Sequence, residues 1–293
     1  MHLTRPAVDR PSVRWSWLLV SLGLSTAFIS MHQFSQARVQ ALRDRIGSEN
    51  FHLLFGFFGI AILAGTLWTS VHWIRTRHSS GRASAGRPRL SARFLALWAG
   101  LLIVLVVAYW ILVAVHSELV HLLQYLLLLL ALHAAFGRLG FASSLAFLVS
   151  VFDEGYQYWV LRRGWNSYYD FNDLVLNQIG IALGVALVFS ANPPAGDFRW
   201  RRGFGRAWWI PGIVALSLAL CLLSGWMGIE RATSPEATVF LSRSGPPPTF
   251  WTHAEWSGKD FHILAPIPGL LLTALTSLPL LFLDGWDAPR KSR

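Results

Sequence analysis

Residues Asp170–Ala191 read DFNDLVLNQIGIALGVALVFSA. From Leu174 to Ala191 this stretch carries no Lys, Arg, Asp or Glu, and its length approaches the roughly 20 apolar residues that a bilayer-crossing helix requires. Asp173, Asn177, Gly180 and Gly184 recur along it at helical spacing, so they share one stripe. Gly180 and Gly184 are the helix-packing positions, because the missing side chains let a second helix approach closely. Asp173 stands at the helix start, where the positive end of the helix dipole favours an anion. The stretch predicts a helix inside a helical bundle, with a polar seam along one face.

The surrounding composition agrees. The chain has 293 residues, of which 54% are hydrophobic and only 14% charged, against about 25% charged in a soluble protein. So few charges cannot coat a soluble surface, which makes the lipid bilayer the expected solvent and partner. Disorder, collagen-like repeats and a disulfide scaffold are excluded, and the single Cys221 has no intrachain partner. The net charge of +10 could suggest nucleic acid, but that needs a soluble basic face. Here the basic residues lie between apolar runs, so no nucleic-acid partner is expected.

Eight apolar segments reach or approach spanning length: Trp15–Met31, His52–Ile74, Phe94–His116, Glu118–Phe136, Phe141–Leu161, Leu174–Ala191, Trp208–Gly228 and Ile263–Leu283. None contains Lys or Arg. Helices satisfy their own backbone hydrogen bonds in lipid, so the expected fold is all-α, a polytopic integral membrane bundle of about eight transmembrane helices. The turn between the third and fourth spans rests on His116, Ser117 and Glu118 alone. With eight crossings both termini share a side, and that side holds 17 of the 25 Lys and Arg. The positive-inside rule then places both termini in the cytoplasm. Trp73, Trp208 and Trp209 fall at the inner interface, and Trp159, Trp165 and Trp226 near the outer one.

The first span follows Arg5, Arg10 and Arg14 without an evident cleavage site and reads as an uncleaved anchor. The loop Arg75–Arg93 is rich in Ser, Gly and Arg and is expected to be flexible against anionic headgroups. The long outer loop Ile229–His262 is expected to be irregular and to hug the interface. Three regions result: 1–93 with two spans and the basic loop, 94–191 with spans three to six, and 192–293 with two spans and the long outer loop.

Chemistry has one place to sit. Asp153 and Glu154 are the only acidic residues within the spans and away from an edge, and a carboxylate in lipid is costly enough to mark a functional hypothesis. Glu154 and Gln157 share a helix face, as do His121 and Tyr125. With the loop RRGWNSYYDFND between spans five and six, the outward ends of spans four to six gather a candidate pocket. Its members are His121, Tyr125, Glu154, Gln157, Arg162, Arg163, Asp170, Asp173 and Asn177. The plainer alternative is an interhelical hydrogen-bond clamp, in which Arg162 or Arg163 neutralises Asp170 or Asp173. Asp153, on a different face from Glu154, reads as solvated or Arg-paired. No HxxxH or HxxE pair lies on one helix, so no metal and no cofactor is expected. The segment Phe250–Phe261 reads either as a lip over the pocket or as an amphipathic stretch resting in the headgroups.

These residues carry a resemblance. His and Tyr four apart open one helix, ExxQ ends the next, and a basic loop precedes DFNDLVLNQIGIALG. In this pattern residues 118–184 resemble the VanZ-like family of bacterial membrane proteins. Glu118 stands where the family often has Lys, and Ser167 where it has Arg. The resemblance implies a VanZ-like core in spans three to six and a place in the bacterial cytoplasmic (inner) membrane, serving the cell envelope. The family's namesake is associated with antibiotic resistance, namely lowered susceptibility to the glycopeptide teicoplanin. The first functional reading is a non-enzymatic envelope protein whose pocket binds a lipid-linked cell-wall component or a glycopeptide. The second is an enzyme acting on a lipid headgroup, with Glu154 and His121 as acid and base. The third is a proton-coupled transporter.

Overall fold

The structure is a computed structural model that describes residues 13–30, 32–80, 92–114, 116–161, 168–191, 209–244, 247, 249–255 and 258–281. Each of the eight apolar segments contains a helix. In order these are α1 (Trp15–Ser30), α3 (Ser48–Ser80), α4 (Ala92–Ile111), α5 (Val120–Phe136), α6 (Leu139–Tyr156), α7 (Phe171–Ala191), α8 (Trp209–Leu223) and α9 (Pro266–Leu281). A further helix, α2 (His32–Ile46), occupies a stretch expected to be loop. Its polar sequence HQFSQARVQALRDRI contains no Gly or Pro to break a helix.

Fewer helices than eight meet the length and apolarity that a crossing needs. Among the described residues three do so: Glu49–His72 within α3, Ser117–Phe136 and Phe171–Ala191. Four others are apolar but shorter, at Trp15–Ser30, Ala96–Ile111, Trp209–Leu223 and Pro266–Ser277. The shortfall has local causes. The seventh apolar segment stops being helical at Leu223, because Gly225 turns the chain at φ 71° and β1 begins at Met227. The eighth starts as helix only at Pro266, where proline suits a first turn that needs no N–H. The sixth-span region carries its polar residues inside the helix, so α7 spans Phe171–Ala191 rather than opening at Leu174.

The expectation of an all-α chain is also corrected. Four short strands lie between α8 and α9: β1 (Met227–Glu230), β2 (Val239–Ser242), β3 (Thr252–Ala254) and β4 (Lys259–Phe261). β1 and β2 pair in parallel, with Met227 opposite Val239, and β3 and β4 pair antiparallel, with His253 opposite Asp260. Backbone groups in a short polar segment must find partners, and here much of Ile229–His262 does so by pairing with itself. Of the loop Arg75–Arg93, residues to Ser80 continue α3, and 81–91 lie outside the described residues.

The chain breaks between α4 and α5, at a 3-10 turn over His116–Leu119. α5 and α6 form a tight antiparallel hairpin. Gly137 closes α5 in the left-handed region at φ 66° and donates its N–H to His133 O at 2.8 Å, the usual role of glycine at that position. α7 is the centre of the bundle: all its residues except Ala182, Phe189 and Ala191 are buried, and it packs against α3, α4, α5, α6 and α9. α1 packs on α5 and α6.

The segment bearing the strands is tied to one end of this bundle. Asn172, in the first turn of α7, donates from Nδ2 to Leu112 O (2.9 Å) and His262 O (2.7 Å) and accepts from Leu264 N (3.0 Å). Lys259 donates from Nζ to Tyr109 O (2.6 Å) and Val113 O (2.8 Å) at the end of α4, over the Tyr109 ring. A cation at the carbonyl end of a helix meets the negative pole of its dipole. Burial holds the Lys259 ammonium below its ordinary pKa, while Glu118 pulls in the other direction. Arg243 donates to Tyr158 O (2.9 Å) with its guanidinium over the Tyr158 ring, at the end of α6. The start of α7 and the ends of α4 and α6 therefore meet beneath these strands.

Candidate functional site

The polar residues of this end come together because α5 and α7 touch backbone to side. A Cβ added to Gly180 would lie 2.7 Å from Leu122 O and 3.2 Å from His121 O, and one on Gly184 would lie 2.6 Å from Leu129 Cδ2. Only glycine admits that approach. It brings His121 of α5 onto the polar stripe of α7, where His121 Nδ1 is 2.8 Å from Asn177 Oδ1. The other ring nitrogen, Nε2, lies 3.5 Å from Asp173 Oδ2.

Asn177 joins the third helix. Its Nδ2 donates to Ser150 Oγ (2.9 Å) and to Glu154 Oε1 (3.2 Å). This use of the amide nitrogen leaves Oδ1 as the acceptor for the His121 N–H, so the orientation of one side chain settles the partner of the next. On α6, Asp153 accepts from Tyr125 OH (3.1 Å) and from Gln157 Nε2 (3.1 Å). Ser150, Asp153, Glu154 and Gln157 fall at i, i+3, i+4 and i+7, which is one helix face. Directly after Tyr156 the helix widens into a π turn over Gln157–Leu161, a distortion frequent beside functional residues. Asp170 stands just outside α7 and caps it, accepting from the Asp173 N–H at 3.1 Å.

The assembled cluster is buried. His121, Tyr125, Asp153, Glu154, Gln157, Asp173 and Asn177 are all buried, with Tyr125 and Asn177 at 0% exposure and Glu154 at 1%. Each hydrogen bond between such helices contributes about 0.6 kcal/mol, and at most about 2. One atom stands apart: Glu154 Oε2 is buried with no hydrogen-bond partner among the described residues. A buried polar atom left unpaired costs about 1–3 kcal/mol, so a cluster evolved only as a clamp gains nothing from it.

Of the nine pocket residues expected from sequence, the structure brings six into one network: His121, Tyr125, Glu154, Gln157, Asp173 and Asn177. Asp170 joins through its cap. Arg162 and Arg163 lie outside the described residues. The reading of Asp153 as a solvated or Arg-paired group is corrected. It is 2% exposed and holds the Tyr125 and Gln157 side chains, because residues three and four apart both lie on the face turned to α5. Ser150 was missed altogether, although its spacing of four before Glu154 was a usable signal. Asn172, Lys259 and Arg243 were missed as well, and their partners are backbone carbonyls far along the chain, which no local pattern reveals. The stretch Phe250–Phe261 supplies β3, β4 and an exposed pair of aromatics, Phe250 and Trp251. His262 stacks on Phe250 at 4.0 Å.

No three His, Cys, Asp or Glu side chains converge as metal ligands among the described residues. A concavity of about 500 Å³ lies along α3, lined by Asn50, Leu53, Leu54, Phe57, Phe58 and Ala61; none of the polar cluster borders it. The site's chemistry is that of carboxyl groups, amides, hydroxyls and one imidazole, held between three helices. No family model, no curated protein and no solved structure matches this chain.

Proposed function

We propose that the chain is a VanZ-like membrane protein of the bacterial cell envelope. In this reading it crosses the cytoplasmic membrane about eight times with both termini inside. The cluster of α5, α6 and α7 would then face the outer leaflet as a non-enzymatic recognition site for a lipid-linked cell-wall component or a glycopeptide. The single observation that supports it most is Glu154, a carboxyl group 1% exposed with one oxygen unpartnered, inside a network that otherwise pairs its polar atoms. Three long apolar helices and the large apolar side chains exposed on α1, α3, α4, α8 and α9 support the membrane setting.

The test replaces Glu154 and Asp173 by alanine in protein shown to be inserted and folded. Altered susceptibility of the cell to teicoplanin or other envelope antibiotics is expected. Unchanged susceptibility in both variants removes the recognition role. Reporter fusions at the two termini test the orientation separately, and opposite sides for the termini would overturn the even crossing count.

A second reading, chemistry on a lipid headgroup, is favoured by one specific arrangement. His121 lies between Asp173 and Asn177, and Asn177 binds Glu154, so an imidazole and a carboxyl group share one relay partner. Purified protein that turns over no member of a polyprenyl- and phospholipid panel would dismiss this reading.

A further inference from the structure

Three helices carry exposed apolar stripes that run up to the strand-bearing segment between α8 and α9. On α4 the stripe is Ile103 and Val107, on α8 it is Leu216, Leu220 and Leu223, and on α9 it is Ile267, Leu271 and Leu275. Their spacings of three and four put each set on one helix face. The segment meets all three at the same end. His262 donates its N–H to Ile111 O at the end of α4 (2.6 Å), and α9 begins four residues later at Pro266. At the end of α8, Trp226 O accepts from Thr238 N (3.0 Å) and Val239 N (3.2 Å).

Exposed aromatic rings stand where these stripes stop. Trp110 is 65% exposed, Phe250 55%, Trp226 50% and Trp251 48%. Phe250 is held in place at the junction of α4 and α9. His262 stacks on its ring at 4.0 Å and donates from Nδ1 to its carbonyl oxygen at 2.7 Å. Beyond the rings the exposed side chains of the segment are charged: Arg231, Glu236, Glu255 and Asp260. Apolar, then aromatic, then charged is the order met on passing from hydrocarbon through headgroups to water. The polar cluster is buried, and Phe250 and Trp251 keep half their surface free, so they project outward rather than close over it.

We propose that the strand-bearing segment docks on lipid, with Phe250 and Trp251 entering the outer leaflet at headgroup level beside Trp110. This rests on the membrane setting proposed above and names the part of the chain that grips the interface. A Trp ring suits that depth because its body is apolar while its N–H can reach water or a headgroup.

The experiment uses the full chain, its one cysteine removed by Cys221→Ala, in phosphatidylcholine nanodiscs. A nitroxide label is placed on one introduced cysteine at a time: Trp251→Cys, Leu216→Cys on α8 and Glu236→Cys. Collisions with oxygen, which concentrates in lipid, and with a nickel chelate, which stays in water, give the depth of each label. The label at 251 is expected about 5–10 Å into the headgroup–acyl boundary, with 216 deeper and 236 open to nickel. A label at 251 as open to nickel as that at 236 overturns the proposal. So does one shielded from both reagents, because a second copy or another protein surface then covers the face. The two readings fail separately: 216 in lipid with 251 in water removes only the docking of the segment, whereas 216 in water removes the membrane setting itself.

Should Trp251→Cys fail to insert, the wild-type chain still decides. Phosphatidylcholine carrying a diazirine close to its headgroup is photolysed in the same discs, and adducts on residues 249–255 are expected. Adducts confined to α8 and α9 would sink the idea.

Discussion

α7 and α3 are both long helices and lie in opposite surroundings. Both contain windows long and apolar enough to cross a bilayer. α7 is buried on nearly every side, whereas α3 exposes Leu53, Leu54, Phe57, Ile60, Leu67 and Trp68. The difference lies in what interrupts the apolar run. α7 carries Asp173, Asn177 and Gln178 with Gly180 and Gly184, each of which finds a neighbouring helix: Gln178, for instance, accepts from Ser277 Oγ of α9 at 3.2 Å. The glycines of α3 do not share this role uniformly, since Gly59 would meet the Leu119 side chain and Gly65 meets nothing within 4 Å. In lipid, apolar surface alone gives one helix no reason to prefer another. Small residues and polar pairs supply that reason, and α7 has them.

The sharpest test of this comparison exchanges its glycines. Gly180→Leu drives a side chain into the Leu122 carbonyl, and we expect failure to fold or a loss of at least about 3 kcal/mol. Gly65→Leu on α3 has open space and should change stability by no more than about 0.5 kcal/mol. Unfolding both variants in a denaturing-detergent titration decides the matter; equal midpoints would erase the distinction.

Next in size is the polar pair. Asn177→Leu removes the hydrogen bonds that join Asn177 to His121, Ser150 and Glu154, for an expected loss of about 2–4 kcal/mol. Thr69→Ala on α3 removes only a bond to Gly65 O on an exposed face and is expected to be nearly neutral. Thermal melts in identical detergent compare them directly, and a neutral Asn177→Leu would mean that the network adds nothing to the bundle.

A smaller effect reaches past the helix to Tyr169. Its hydroxyl donates to Val151 O at 3.0 Å, and burial, with the charges of Glu154, Asp153 and Asp170, raises its pKa well above the ordinary 10.0. The folded state then keeps the proton longer than the unfolded chain. Its contribution is whole below pH 10.0 and is lost as pH rises, by up to about 1.4 kcal/mol per pH unit. Tyr169→Phe should flatten that part of the alkaline stability profile, and a profile of unchanged slope would contradict the assignment. Least of all, Phe57→Ala on α3, where the ring is 76% exposed, should shift the unfolding midpoint by about 0.5 kcal/mol or less; a larger shift would show that the face is covered.

Much of the site was legible because helical spacing is rigid. Asp173, Asn177, Gly180 and Gly184 stand on one stripe whatever the rest of the chain does, and His121 and Tyr125 on another. The role of Asp153 was not legible. Adjacent residues on a helix diverge by about 100°, and either Asp153 or Glu154 could have faced inward; both do, one towards Tyr125 and the other towards Asn177. The strands between α8 and α9 were hidden for a different reason. Three- and four-residue strands carry too little alternation to register as a period, and their pairing is held by distant anchors such as Lys259 on the end of α4.

The sequence by itself determined where lipid-compatible helices form and which of their faces are polar or small. Those properties depend on local spacing and side-chain chemistry, and both are written in order along the chain. The tertiary structure alone decided which helix lies at the centre, which carboxyl oxygen is left without a partner, and where apolar length ends short of a crossing. These depend on which surfaces meet, and two apolar helices of equal hydropathy differ in that only through the neighbours they find.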